Sequence, residues 1–358
     1  MNNDLINLNK RISSDLLPWF EQNQRPMPWR KNRTAYRVWI SELMLQQTRV
    51  NQVIPYYLRF MEKFPSVKIL ASSELQDVLK LWEGLGYYSR ARNLHKTAKT
   101  ICEKFGGIFP EDPDLINQLP GIGPYTTAAI ASLAFNKDLA VVDGNVIRVL
   151  SRLLAIDSDV SKSSTKKELQ TIADNLLVKG KAGKFNESMM ELGATICMPK
   201  NPNCKECPVI DNCMSYKIGD PSSFPVKKKK AKIPHIIVGA AVVSDGNKVL
   251  ISQRRENQML GGLWEFPGGK KENNESIKEC ITRELLEELG IIIEIQEKII
   301  TVNHAYSHFT MEMHTYWAKI KSGEPKAIDC KTFKWVKLDK IRSMPFPKAD
   351  IKVLDVIS

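Results

Sequence analysis

The chain has 358 residues, enough for two domains that each bury a core, and a formal net charge of +12. With a pI near 9.2, that balance favours a polyanionic partner, nucleic acid before an anionic membrane. No apolar stretch reaches membrane-spanning length, the opening MNNDLINLNK lacks a signal peptide's apolar core, and the seven sparse cysteines suit a reducing cytoplasm rather than a secreted disulfide scaffold.

Up to about Tyr216 the apolar spacing predicts helices joined by short Gly/Pro turns. Leu5, Ile6, Ile12, Leu16, Leu17 and Phe20 mark a first amphipathic helix, and Tyr36 to Val50 a second. Glu42 lies inside the latter, in YRVWISELMLQQT, with Val38, Trp39, Leu45 and Gln46 as its helical neighbours. A carboxyl on a mainly apolar face has its charged form disfavoured, which raises its pKa and makes it a proton donor near neutrality. The alternative is a solvated helix edge, which the near-absence of other charges from Val38 to Thr48 opposes. Further helices are predicted at Pro55–Phe64, Leu75–Lys80, Ala91–Phe105, Thr126–Phe135, Val146–Ala155, Lys166–Val178 and Asn186–Cys197, with no strand pattern among them.

Between a short helix at Pro113–Gln118 and the one near Thr126 stands LPGIGPY, residues 119–125. Gly121 and Gly123 permit positive φ and remove side chains, so backbone N–H groups can approach a phosphate, and Pro124 suits a first helical turn. The pattern has the look of a helix–hairpin–helix, which any Gly/Pro-rich interhelical turn can imitate. VVDGNV follows, with Asp143 just ahead of a helix. Asp143 is either that helix's N-cap or, if Asn145 caps instead, a free carboxylate at the mouth of the hairpin.

Cys197, Cys204, Cys207 and Cys213 form a C-x6-C-x2-C-x5-C run with no histidine nearby. Zinc usually takes paired C-x2-C knuckles or adds histidines, whereas four unevenly spaced thiolates can wrap a [4Fe–4S] cluster. Zinc and free thiols are the alternatives. Lys200 and Lys205 make this loop basic, a plausible phosphate contact. PSSFPVKKKKAKIP at 221–234 cannot bury a core and reads as a linker. The expected organisation is an all-α domain at 1–216, a basic linker at 217–234 and an α+β domain at 235–358.

In the last of these, strands are predicted at 236–244 and 248–255, joined by a turn at Asp245-Gly246-Asn247, then a helix at Ser276–Leu289. Strands follow around Ile291–Ile295, Lys298–Val302, Thr310–Ile320 and Thr332–Val336. Glu284, Glu287 and Glu288 share one helix face near its C-terminus, where negative charge opposes the macrodipole. Bound Mg²⁺ would relieve that penalty; a solvated acidic edge is the alternative.

LPGIGPY, VVDGNV and the cysteine loop together resemble the helix–hairpin–helix/Gly-Pro-Asp superfamily of DNA base-excision glycosylases. WISELMLQQTRV (39–50) and GLGYYSRARNL (84–94) resemble its adenine-specific, MutY-type branch, and the likeness runs from about Trp19 to Cys213. It implies removal of adenine opposite 8-oxoguanine or guanine in double-stranded DNA, by a monomer with a [4Fe–4S] cofactor. Where lyase-competent relatives carry a lysine, this chain has Tyr125. The resemblance therefore implies a monofunctional enzyme in which water completes the reaction. Protonated Glu42 would donate to adenine N7 and the Asp143 carboxylate would stabilise the cationic sugar. By the same likeness Tyr125 lies beside the sugar, Asn145 positions Asp143, Arg30 lines the adenine pocket, and Gln47 and Tyr87 wedge into the base stack.

Residues from Gly269 to Ile291 fit the Nudix pattern G-x5-E-x7-R-E-U-x-E-E-x-G-U through Gly269, Glu275, Arg283, Glu284, Glu287, Glu288 and Gly290. In MutY-type enzymes a Nudix-like domain reads 8-oxoguanine and its box is often degraded; here the box is whole. HAYSHF (304–309) resembles the reading loop, with Ser307 and His308 as the expected contacts and Tyr306 where phenylalanine is usual. The alternatives to an adenine glycosylase are a thymine, uracil or oxidised-pyrimidine glycosylase, a nucleotide-pool hydrolase tethered to DNA, and a pure DNA-binding module. The expected fold class is thus multidomain, an all-α helix–hairpin–helix glycosylase domain with a cluster, followed by an α+β Nudix-like domain.

Overall fold

Apolar residues three and four positions apart coil the first two-thirds of the chain into helices, and period-two alternation lays the remainder into strands. The computed structural model describes residues 2–228, 233–306 and 308–358. The chain divides into two units, Met1–Ala71 with Lys96–Lys230, and Ser72–His95 with Ala231–Ser358. Among the described residues no helix is long and apolar enough to cross a membrane.

The helices in chain order are α1 (Asn2–Asn23), α2 (Ala35–Leu45), α3 (Val50–Lys63), α4 (Val67–Ser72), α5 (Leu75–Trp82), α6 (Ser89–Phe105), α7 (Pro113–Asn117), α8 (Pro124–Phe135), α9 (Gly144–Leu153), α10 (Ser163–Leu176), α11 (Ala182–Thr195) and α12 (Met214–Ile218). The first unit is helical, and one core joins Ile12 and Leu16 of α1, Val149 and Leu150 of α9, Leu169 of α10 and Leu192 of α11. The side chains of Leu5 and Ile6 lie outside the described residues. In α8 every residue from Thr126 to Leu133 is buried, as expected of a helix with apolar or small residues all round. Two glycines let α11 come close. A Cβ on Gly183 would stand 2.6 Å from the Ser132 carbonyl of α8, and one on Gly193 would stand 2.6 Å from Asn145 Cβ.

Two sequence expectations are corrected here and one open choice is decided. The helix expected from Tyr36 to Val50 ends at Leu45, because Gln47 adopts φ +59° and turns the chain before α3. Asp143, not Asn145, caps α9, its side chain accepting from Val146 N at 2.7 Å. Part of the expected linker folds onto the first unit, for the Phe224 carbonyl accepts from Arg152 Nε at 3.0 Å and the Val226 carbonyl from Val160 N at 3.1 Å. The remaining lysines at 229, 230 and 232 lie outside the described residues.

The second unit holds β1 (His235–Asp245), β2 (Lys248–Gln253), β3 (Trp264–Glu265), β4 (Gly268–Lys270), α13 (Ile277–Leu289), β5 (Ile292–Ala305), β6 (Thr310–Ser322), β7 (Thr332–Lys337), α14 (Leu338–Ile341) and α15 (Lys348–Ile357). The sheet runs β3-β2-β1-β6-β5, with β4 on β1 and β7 on β2; β1 and β6 are parallel. The two strands expected around Ile291–Ile295 and Lys298–Val302 are one strand, β5, whose bulges between Ile295 and Ile300 break the alternation that sets a strand apart in sequence. α13 opens on a capping box of Ser276 and Glu279 and closes on left-handed Gly290, φ +68°. Residues 72–95 pack here, which the composition did not foretell. Gln76 donates to the Gly262 carbonyl at 3.0 Å and accepts from Trp264 Nε1 at 2.9 Å, while Glu83 accepts from Phe346 N at 2.8 Å.

Candidate active site

A cleft of about 1240 Å³ in the first unit is lined by Arg30, Glu42, Gln47, Tyr125, Asp143 and Asn145. Six of the residues marked in the sequence therefore line one cleft, Glu42 from α2, Tyr125 from α8, Asp143 and Asn145 at the head of α9, and Arg30 and Gln47 from the turns before and after α2. Glu42 is 6% exposed, and Tyr125 Oη donates to its Oε2 at 2.6 Å. Burial above all pushes the Glu42 carboxyl up to about 7, reinforced by the nearby Asp143 and Glu187 charges and opposed by Tyr125 and Arg33. This is the raised acid that its apolar neighbours predicted.

Asp143 serves two ends at once. Its Oδ1 accepts from Val146 N at 2.7 Å and its Oδ2 from Asn145 Nδ2 at 2.8 Å. Burial raises its pKa, while these donors and Arg148 pull it back. Capping thus pins the carboxylate in the cleft instead of removing it from chemistry. Asn145 is oriented in turn by Arg148, whose Nη2 donates to Asn145 Oδ1 at 2.9 Å and whose Nε donates to the Cys197 carbonyl at 2.7 Å.

At the hairpin, Gly121 takes φ +71°. Gly123 does not; it is the extended N-cap of α8, and a Cβ there would meet nothing within 4 Å. Its bare backbone faces open space, as a phosphate contact requires. Gln47 lines the cleft from a left-handed turn. Tyr87 is also left-handed, φ +49°, and belongs to the second unit, with the Arg90 guanidinium 5.5 Å from its ring. Bulky residues rarely adopt such φ.

Sequence reasoning missed Glu187 and Glu191. Both are buried on α11, at 8% and 2% exposure, and both line the cleft. Arg30 joins them, Nε to Glu187 Oε1 and Nη2 to Glu191 Oε2, both at 3.0 Å. Arg25 reaches Glu191 at 2.6 Å and Arg33 reaches both Glu187 oxygens at 2.8 Å. Buried charges demand such partners. The only available signal was a pair of glutamates one turn apart in NESMMELGAT, a stretch with no other charge.

Cys197, Cys204, Cys207 and Cys213 line one small cavity, with Arg152 Nη1 3.3 Å from the Cys197 sulfur. Burial pushes the Cys207 thiol up to about 12. Among the described residues no three His, Cys, Asp or Glu side chains converge as ligands of a single metal ion. In the second unit Arg283 binds Glu275 and Glu284 at 2.9 Å and Glu287 at 3.0 Å. The chain's own guanidinium thus relieves the repulsion between Glu284 and Glu287, whereas Glu288 is not among its partners and keeps a buried Oε2 without a hydrogen bond among the described residues. Burial also pushes Glu288 up to about 8. His308 is exposed; Tyr306 stacks on Phe309 with ring centroids 4.8 Å apart. Ser307 lies outside the described residues.

Residues 40–174 match the HhH-GPD superfamily of base excision DNA repair proteins, and residues 238–356 match the NUDIX domain. The adenine DNA glycosylase of Buchnera aphidicola subsp. Schizaphis graminum is 36% identical over 347 residues, covering 96% of this chain and 98% of its own. The Mus musculus adenine DNA glycosylase is 36% identical over 357 residues, 85% of this chain and 69% of its own. Among solved structures, a thermostable thymine-DNA glycosylase superposes with a TM-score of 0.53 at 30% identity, over 59% of this chain and 98% of that one. A trapped endonuclease III–DNA covalent intermediate gives a TM-score of 0.50 at 23% identity over 59% of this chain and 98% of that one, a likeness of fold alone. Two family models matched in order, and adenine glycosylases aligned over nearly the whole length, agree with the paired carboxyls of the cleft: the chain belongs to the adenine DNA glycosylase family of base excision repair enzymes.

Proposed function

We propose that this DNA glycosylase hydrolyses the N-glycosidic bond of adenine mispaired with 8-oxoguanine or guanine in duplex DNA, as a monofunctional, monomeric, cytoplasmic enzyme. The observation that carries the reading is Glu42 buried beneath the Tyr125 hydroxyl, with Asp143 lining the same cleft. Adenine leaves the stack at a cost of a few kcal/mol, offset by phosphate and pocket contacts. Glu42 gives its proton to adenine N7, and the C1′–N9 bond breaks with its electron pair going to the base. The sugar becomes cationic, and the Asp143 carboxylate, fixed by Val146 and Asn145, stabilises it. Water adds at C1′, and its proton returns to Glu42. Tyr125 supplies a phenol and no amine, so no Schiff base forms from that position.

The four cysteines fit a [4Fe–4S] cluster. All four line one small cavity, and thiolates drawn from one loop are the ligands a cubane would take at its corners. When bound, the cluster would cross-link the loop bearing Lys200 and Lys205 into a rigid phosphate contact. Iron and inorganic sulfide assayed on the purified chain test this, and stoichiometric zinc in their place would sink it.

The second unit is assigned as the reader of 8-oxoguanine through HAYSHF. Arg283, itself a residue of the box, pairs with Glu275, Glu284 and Glu287, and the box is read as scaffold because fold and motif outlast function. Replacing His308 by Ala should narrow the ratio of excision rates on A:8-oxoguanine and A:G by about fivefold, one hydrogen bond's worth. Glu287→Gln should leave that ratio alone. An unchanged ratio in His308→Ala would remove the loop as reader, and Mg²⁺-dependent hydrolysis of 8-oxo-dGTP abolished by Glu287→Gln would replace the scaffold with an enzyme.

A further inference from the structure

An alternating chain of charge runs along the cleft wall. Arg25, Glu191, Arg30, Glu187 and Arg33 follow one another through contacts of 2.6 to 3.0 Å. Arg33 stands at its end, just ahead of Thr34, the N-cap of the helix that bears Glu42. Its Nη2 reaches Glu187 Oε1 and Oε2, both at 2.8 Å. The Glu187 side chain is 10% exposed and that of Arg33 29%, and both residues line the cleft.

We propose that Arg33 is a positioning residue for excision: by holding Glu187 in a two-oxygen ion pair at the cleft wall, it fixes the charge that faces the proton-donating Glu42. The inference rests on the reading of Glu42 as the acid. The titratable and charged groups that act on Glu42 are Tyr125 of α8, Asp143 at the head of α9, Glu187 of α11 and Arg33 before α2, all lining the same cleft. Asp143 and Glu187 favour the protonated acid, whereas Arg33 and the Tyr125 hydrogen bond favour the carboxylate. Tyr125 and Asp143 are tied to the reaction itself. Arg33 and Glu187 are the pair free to set the balance, and they oppose each other.

The sign follows directly. Loss of the Arg33 cation leaves Glu187, among the described residues, held by Arg30 alone, and removes a charge that stabilised ionised Glu42. Both effects keep Glu42 protonated to higher pH. Arg33 is part-exposed, so water screens it in the free protein, and a flipped base that displaces this water strengthens the effect.

The test is the pH dependence of single-turnover adenine excision at subsaturating enzyme, which reports the acid of the free enzyme. Wild type should lose activity as pH rises through about 7, where burial puts Glu42. In Arg33→Gln this alkaline limb should move up by about half a pH unit; Arg33→Lys, which keeps the charge, should hold it near the wild-type position. Glu187→Gln, which removes an anion, should move it down, and this arm serves if Arg33→Gln does not fold. A wild type without an alkaline limb would overturn the reading of Glu42. A wild-type limb at that pH, left unmoved in Arg33→Gln or Glu187→Gln while rates fall uniformly, would overturn the role of Arg33 alone.

Discussion

Glu42→Gln should lower single-turnover excision of adenine by about 10²- to 10⁴-fold, the range a positioned general acid contributes. The substitution keeps the side-chain shape beneath Tyr125 and removes only the transferable proton. Duplex binding, driven by phosphate contacts, should stay near wild type. Stability should change as well, and in the opposite sense. The carboxyl titrates at an ordinary value of 4.5 when unfolded and at about 7 when buried. Its folded pKa is raised, so its contribution to stability is present in full below about 4.5 and is lost as pH rises through about 7. Glu42→Gln should therefore match wild type in acid and exceed it above pH 7 by about 3 kcal/mol at most. Melting curves across that range, set beside the rates, check both halves. A variant excising adenine near the wild-type rate would remove Glu42 from the mechanism.

Asp143→Asn is expected to cost about 10²- to 10³-fold in excision, the scale of one preorganised electrostatic contact at a developing charge. Because Asp143 caps α9 through Val146 N, the two roles must be separated by chemistry. Asparagine caps a helix about as well as aspartate, so Asp143→Asn should fold with near wild-type stability. Asp143→Ala should lose the same activity and, in addition, about 1 kcal/mol of stability with its cap. Both variants lose the acceptor that Asn145 Nδ2 has at 2.8 Å, because asparagine offers one oxygen and the cap uses it. Equal rates for wild type and Asp143→Asn, with only Asp143→Ala impaired, would reduce Asp143 to a cap.

Glu42 was legible in the sequence because its helical neighbours are apolar, and burial follows from neighbours. Asp143 was legible only as a choice. Whether it or Asn145 caps depends on which residue begins α9, and helix starts are uncertain by a residue or two. Glu187 and Glu191 were not legible. Their partners Arg30 and Arg25 lie 157 and 166 positions away, so nothing local distinguishes them from a solvated acidic edge. The left-handed turns at Gln47 and Tyr87 were equally hidden, since neither residue type favours φ of +59° or +49°. The packing of residues 72–95 beside the C-terminal sheet has the same cause: Gln76 meets Gly262 at a separation of 186 residues. The helices, the hairpin glycines, the cysteine loop and most strands are local patterns, and those the sequence did carry.

The central claim is excision of adenine by water without strand scission, and the fate of the DNA strand tests it most directly. A duplex carrying adenine opposite 8-oxoguanine, end-labelled on the adenine strand, is incubated with the full chain and split between neutral and alkaline workup. The account predicts an intact strand at neutral pH that breaks at the adenine position only after alkali or heat. Scission at neutral pH with abundant borohydride-trapped enzyme–DNA adduct, or a strand that alkali leaves whole, would contradict it.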